Sequence, residues 1–362
     1  MRFARTLAAT AMIITAGPTL AQSLDEMAGQ MIVVGFQGNS VDETAGLRAE
    51  IAAGEVGGVM YLGTNIGSLK TVKAMNTAFL AANPGLPPFI TVDQEGGYVE
   101  RLNASNGFVE TPSARDLAKK SDPDGTTAVY SKMAKGLAEL GFNVNFGPVA
   151  DVDVNPTNPV IGKFGRAYSA DPMTVMQYDA AFINAHESAG VLTALKHFPG
   201  HGSSSTDSHE GFVDISDTWS ESELTPYKLL LRHPEVASAV MVMVGHLYVG
   251  DHGDGAGVPS SLSRYWITDV LRGKLGFDGV VITDDMEMGA VRDHFELEDR
   301  IVRAVNAGVD ILLFSNTARP RASIADDIRA ILVAHGNADP AFAARIKESY
   351  GRIVALKRHL AG

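Results

Sequence analysis

The chain has 362 residues, of which 45% are apolar and 20% charged, enough apolar content for a large core and too few charges for a disordered chain. A formal charge of −12 argues against a nucleic-acid polyanion as the main partner, because there is no basic field to release counterions. The absence of cysteine excludes disulfides, zinc–thiolate sites, iron–sulfur clusters and a cysteine nucleophile.

Arg2 and Arg5 precede an apolar run, Leu7–Ile14, which Gly17 and Pro18 break ahead of Thr19-Leu20-Ala21. This pattern predicts a secretory signal peptide over residues 1–21, cleaved after Ala21. The run is short for a hydrocarbon layer of roughly 30 Å. No later stretch is long and apolar enough to span a membrane. The expected product is an exported protein, periplasmic or secreted, without stable membrane insertion.

Eight short apolar, β-branched runs follow: Met31–Phe36, Gly57–Leu62, Pro88–Asp93, Val144–Ala150, Leu192–Phe198, Ala239–His246, Gly279–Asp284 and Ile311–Ser315. Helical patterns lie between most of them, at Ala45–Ala53, Ser68–Ala82, Thr126–Leu140, Pro172–Ala189, Glu221–Leu231, Arg264–Leu271 and Leu297–Ala307. Arg321–Ala334 and Pro340–His359 close the chain. Alternation of this kind implies a parallel sheet with right-handed crossovers, and eight repeats imply an α/β fold, a (β/α)₈ TIM-barrel-like single domain over residues 22–362. No Gly-rich dinucleotide fingerprint follows the first strand, which weighs against an open doubly wound sheet. The longest structureless stretch is Gly200–Trp219, and loops of that length are commonly functional.

Barrel chemistry sits at the carboxyl ends of the strands. Ionisable residues follow the apolar runs there in five of eight cases: Asp93-Gln94-Glu95, Asp151-Val152-Asp153, Lys196-His197, His246 and Asp284-Asp285. Any single aspartate could be capping the next helix, but the set as a whole is not explained that way. The densest group is Lys196-His197-Phe198-Pro199-Gly200-His201-Gly202, followed by Asp207-Ser208-His209. A metal site is one reading of it. Lys196 beside His197 would repel a dication, and no HExxH pair is present. The alternative is acid–base and sugar-binding chemistry, with Asp207 close enough to hydrogen-bond and orient His209. Asp284, at the end of Gly279–Thr283, is placed as a nucleophile should be. Asp285 is expected to point the other way and make structural hydrogen bonds. Pattern alone does not choose between the two acids.

Together these stretches resemble glycoside hydrolase family 3, in its single-domain β-N-acetylglucosaminidase branch. The resemblance runs from Met31 to Lys357. It is carried by KHFPGHGSSSTDSH (Lys196–His209), DQEGGYVERL (Asp93–Leu102), FGPVADVD (Phe146–Asp153), NPVIGKFGRAYS (Asn158–Ser169), SLS (Ser261–Ser263), GFDGVVITDDMEM (Gly276–Met288) and a closing ARIKESYGRIVALK (Ala344–Lys357). It implies a retaining double displacement, with Asp284 as nucleophile and His209, paired with Asp207, as general acid/base. Asp93, Arg101, Arg166, Lys196 and His197 match residues that hold the sugar, and His246 is expected to line the same pocket. The implied partner is a small N-acetylglucosamine-containing oligosaccharide, handled by a monomer without metal or organic cofactor. In the family's EGGRV stretch, Tyr98 stands in place of arginine, which bears on sugar preference more than on chemistry. Export is a second departure, from branch members that recycle cell-wall fragments in the cytoplasm. A β-glucosidase, a glycoside phosphorylase, a non-catalytic sugar-binding protein and a metal-dependent hydrolase are the competing readings.

Overall fold

A computed structural model describes residues 22–317 and 320–360. The signal-peptide expectation for residues 1–21 lies outside the described residues. Eight parallel strands run in chain order around a barrel: β1 (Ile32–Gly35), β2 (Gly58–Tyr61), β3 (Phe89–Val92), β4 (Val144–Asn145), β5 (Leu192–Phe198), β6 (Val240–Val244), β7 (Val281–Thr283) and β8 (Leu312–Phe314). Val34 of β1 pairs with Val59 on one side and Phe314 on the other. A single bridge, Ile282 to Ile311, joins β7 to the start of β8 and completes the ring. Every residue of these eight strands is buried. Helices cover the outer face and side chains fill the inner one, so the strands read as continuous apolar runs rather than alternating ones.

All eight expected strands are present, most of them shorter at the ends. Val144–Ala150 departs furthest, since regular pairing stops at Asn145. Pro148 has no N–H to give a ladder, and only an isolated bridge, Val149 to Lys196, continues the strand's course. The helix Leu297–Ala307 has the expected bounds and stops at Gly308, whose φ of 114° suits glycine alone. The helix Pro172–Glu187 starts where Asp171 accepts from the amides of Met173 and Thr174. Glu221–Leu231 is instead a 3₁₀ turn, Glu221–Leu224, and a short α-helix, Thr225–Leu230. Arg264–Leu271 is a wider π-helical segment, Tyr265–Lys274.

Two details of the fold position the site. Between β5 and β6, Leu195 pairs with Val242 but Phe198 with Val244, so β5 carries one extra residue at its carboxyl end. A bulge of this kind re-aims side chains that would otherwise alternate between faces. The second is a pair of two-residue parallel strands, Val213–Asp214 and Leu247–Tyr248, reinforced by the Ile215 amide donating to the Tyr248 carbonyl at 2.9 Å. They pin the far end of the long loop after β5 to the chain leaving β6. Among the described residues, no helix is long and apolar enough to cross a membrane.

Candidate active site

A cavity of ≈ 490 Å³ opens at the carboxyl ends of the strands. Its lining gathers Asp93 and Glu95 after β3, Lys196 and His197 on β5, Asp284 and Asp285 after β7, and Asp207, Ser208 and His209 from the long loop. The extra residue in β5 explains how adjacent Lys196 and His197 both face inward.

The floor is a network of charges. Lys196 Nζ lies 2.8 Å from Asp93 Oδ1 and 2.7 Å from Glu95 Oε1. Arg166 grips Glu95 with two parallel bonds, Nε to Oε2 and Nη2 to Oε1, each 2.8 Å. Arg101 Nη2 reaches Asp93 Oδ2 at 3.3 Å. Burial opposes ionisation of Glu95, but Arg166 and Lys196 outweigh it and hold the carboxyl far below its ordinary range. Burial likewise opposes the charge on Lys196, and Asp93 and Glu95 more than restore it. The floor thus stays ionic while closed off from bulk water, and presents donors and acceptors in fixed directions, as recognition of a polyhydroxylated ring requires. Glu95 was not among the expected site residues. Its spacing from Asp93 is the available clue, because alternate residues of an extended segment share a face.

Asp151, which is fully buried, organises the next layer. Its Oδ2 lies 2.7 Å from His197 Nδ1, and its Oδ1 accepts from the backbone amides of His197 (3.1 Å) and His201 (2.7 Å). The carboxylate can only accept, so His197 Nδ1 carries a proton. Arg166 Nη2 faces His197 Nε2 at 3.4 Å and can only donate, so that nitrogen accepts. His201 sits between two hydroxyls, Nδ1 to Ser204 Oγ at 2.7 Å and Nε2 to Ser208 Oγ at 3.1 Å. Burial lowers its pKa to about 4, so it ties down the loop as a neutral ring.

The loop then carries His209 to the mouth. His209 Nδ1 and its own backbone N each lie 2.8 Å from Asp207 Oδ1, as the two-residue spacing suggested. The His209 carbonyl accepts from Gly289 N at 3.2 Å, and Ser208 accepts from Ala290 N at the same distance. A Cβ at Gly289 would stand 2.9 Å from the His209 oxygen, so glycine there lets the loop dock.

The adjacent acids after β7 differ in state. Asp284 N donates to the Val244 carbonyl at 2.9 Å, and Asp284 Oδ1 accepts from Asp285 N at 2.8 Å. Burial works against its charge, but His197, His246 and His209 around it outweigh that and bring it to about 2. Burial pushes Asp285 up to about 6. Asp285 Oδ1 accepts from Glu287 N (3.1 Å) and Ser315 N (2.8 Å), the structural bonds expected of it. It does not point away, however. The strand ends at Thr283 and the chain bends, so both acids line the cavity.

His246 does not line the cavity. It is buried behind it, with Nε2 2.9 Å from the Asp285 carbonyl and Nδ1 2.7 Å from Ser261 Oγ. The carbonyl requires a proton on Nε2, and the serine hydroxyl supplies one to Nδ1. The ring props the backbone beside Asp284 rather than meeting a ligand.

Glu223 supports the root of the loop, its Oε2 accepting from Gly202 N at 3.1 Å. Burial, with some repulsion from Asp151, raises its pKa from 4.5 to about 7. The folded state therefore binds more protons than the unfolded one between those values. The resulting stability is complete below pH 4.5 and is lost as pH rises through 7. Glu223→Gln is expected to remove up to about 3 kcal/mol of that pH dependence. Thermal melts of both proteins from pH 4.5 to 7.5 check this. Parallel curves would contradict it, and Asp285 cancels because both proteins share it.

Active sites of parallel barrels lie where this cavity lies. The chain belongs to glycosyl hydrolase family 3, and residues 23–356 match that family's N terminal domain. Among curated relatives, beta-hexosaminidase LpqI of Mycobacterium tuberculosis is 35% identical over 311 residues, covering 83% of this chain and 75% of that one. Beta-hexosaminidase A of Pseudoalteromonas piscicida is 32% identical over 347 residues, and the alignment covers 86% of this chain but 57% of the relative. The family 3 beta-N-acetylglucosaminidase structure from Paenibacillus sp. str. FPU-7 superposes with a TM-score of 0.83 at 31% identity, over 94% of this chain and 63% of that one. The beta-N-acetylhexosaminidase of Beutenbergia cavernae DSM 12333 gives 0.80 at 32% identity, over 93% and 99%. This chain thus spans less than two thirds of beta-hexosaminidase A and of the Paenibacillus structure, while the Beutenbergia structure is matched almost end to end.

Proposed function

We propose that this chain is an exported, exo-acting, retaining β-N-acetylglucosaminidase. In this reading it removes the non-reducing terminal N-acetylhexosamine from chito-oligosaccharides or peptidoglycan fragments. The observation that carries the proposal is one cavity lined by an ionised strand-end carboxylate, Asp284, and by a loop-borne histidine paired with a carboxylate. The relatives named as hexosaminidases support the choice of sugar. Asp93, Arg101, Arg166, Lys196 and His197 would bind the hydroxyls of the terminal ring. His209 gives its proton to the glycosidic oxygen as Asp284 attacks the anomeric carbon. The aglycone leaves as an alcohol, and the sugar is held as an ester of Asp284. His209 then takes a proton from water, whose oxygen attacks the same carbon, and the Asp284 carboxylate is released. An imidazole suits both steps because it titrates near neutrality.

The test is hydrolysis of matched aryl β-N-acetylglucosaminide and aryl β-glucoside by the mature protein, with and without phosphate. Preference for the N-acetyl sugar, unaffected by phosphate, is the expected result. Preference for the glucoside would shift the substrate within the family. Release of a sugar phosphate would mark a phosphorylase, which a histidine acid/base permits because it does not repel the incoming anion.

A further inference from the structure

Among the described residues Tyr98 is the one large aromatic side chain that is mostly exposed, at 68%. It is also part of the cavity wall. The turn that holds it is rigid. Glu95 N and Gly96 N both donate to the Val99 carbonyl, at 2.9 and 3.2 Å, and Gly97 N donates to Thr111 O at 2.8 Å. Gly96 and Gly97 have φ of 96° and 64°, and a Cβ on either would come within 2.7 Å of Pro112 or Ser113. Tyr98 therefore stands at a fixed height above the floor. Its ring lies on that of Phe164, with centroids 3.9 Å apart and planes 13° from parallel. Phe164 lines the same cavity, and Lys163 Nζ approaches its ring to 5.4 Å. The two aromatics rise from the same two segments that supply Glu95 and Arg166 to the floor.

Depth separates the two regions. Glu95, Arg166, Lys196 and His197 are all buried, whereas the Tyr98 ring is at the mouth. A terminal sugar seated on the floor leaves only the mouth for whatever is attached to it. The apolar face of a pyranose suits a flat aromatic surface, and a ring already stacked on another offers its free face without having to be ordered on binding.

We propose that the Tyr98–Phe164 stack is the platform for the second sugar ring, on the leaving-group side of the cleaved bond, and so selects a β-linked oligosaccharide over glycosides with small aglycones. This inference rests on the hexosaminidase reading. Two substrates test it: N,N′-diacetylchitobiose, whose second ring would meet the stack, and N-acetyl-β-glucosaminyl fluoride, whose leaving atom would not reach it. Tyr98→Ala is expected to lower kcat/KM for the disaccharide about 10-fold, ≈ 1.4 kcal/mol, and to leave the fluoride within about twofold. Tyr98→Phe keeps the ring and is expected to match wild type on both. Inhibition by free N-acetylglucosamine, which needs only the floor, is expected to be unchanged. Equal loss on both substrates would overturn the proposal by placing the stack at the first ring. No loss on the disaccharide would overturn it by removing the platform. A wild type that cleaves neither substrate would sink the hexosaminidase reading and this inference with it, whereas the other two failures leave that reading standing. Tyr98 is exposed and outside the core, so its variants are expected to melt with wild type.

Discussion

Asp284→Ala is expected to lower turnover of an aryl β-N-acetylglucosaminide by about 10⁴-fold or more while leaving sugar binding intact. The carboxylate sits on a strand end held by the β6 backbone, and with its pKa lowered to about 2 it is ionised near neutrality. In the proposed mechanism, removing it removes both the charge that stabilises an oxocarbenium-like transition state and the atom that bonds to the anomeric carbon. The floor does not depend on it, because Asp93, Glu95, Arg166 and Lys196 pair with one another. Calorimetric titration of the variant with N-acetylglucosamine therefore separates binding from chemistry. Azide gives a second readout. In the vacated space it would attack from the side opposite the leaving group and release a glycosyl azide of inverted configuration. Retained turnover would exclude Asp284 as nucleophile and move attention to Asp285. That residue is already engaged by Ser315 and Glu287, and below about pH 6 it holds a proton.

His209→Ala is expected to act unevenly across substrates. Leaving groups that depart as stable anions need little protonation, so the first step of an activated aryl glycoside should survive. Chitobiose, whose leaving group is a sugar alcohol, should lose 10²–10⁴-fold, the usual reach of general acid catalysis. In the proposed mechanism the second step needs His209 as base for every substrate, so the aryl glycoside should show a burst equal to the enzyme present, followed by slow turnover. Azide needs no base and should restore turnover with retained configuration. Stopped-flow release of the aryl alcohol measures the burst and its rescue, release of N-acetylglucosamine measures the loss on chitobiose, and the anomeric configuration of the azide is read on the isolated product. A uniform loss across leaving groups, without a burst, would point instead to a role for His209 in holding the loop. His209 is exposed and its ring bonds only to Asp207, so the substitution leaves the core packing untouched.

The sequence made the barrel legible because strands buried on both faces carry unbroken apolar runs, and helices between them carry caps such as Asp171 and stops such as Gly308. The catalytic end was legible for the same reason, since a charge directly after such a run can only lie at a strand terminus. What pattern could not supply was partnership across distance. Asp151 meets His197 across 46 residues and Glu95 meets Arg166 across 71. Nothing local distinguishes Asp151 from Asp153, which pairs with Arg115 instead. His246 looked like another strand-end ligand because sequence gives no depth. Asp285 departs from the face that alternation predicts because alternation holds only while the strand continues, and the strand ends at Thr283.

Asp151 has a mechanical consequence. One carboxylate grips the ring of His197, inside the proposed sugar pocket, and the backbone at His201, from which the serine contacts hold the loop that ends in His209. The pocket and the lever above it thus share a single rivet. In the proposed mechanism the residue that meets the sugar and the foot of the loop that carries the acid are therefore anchored to one buried group rather than to two.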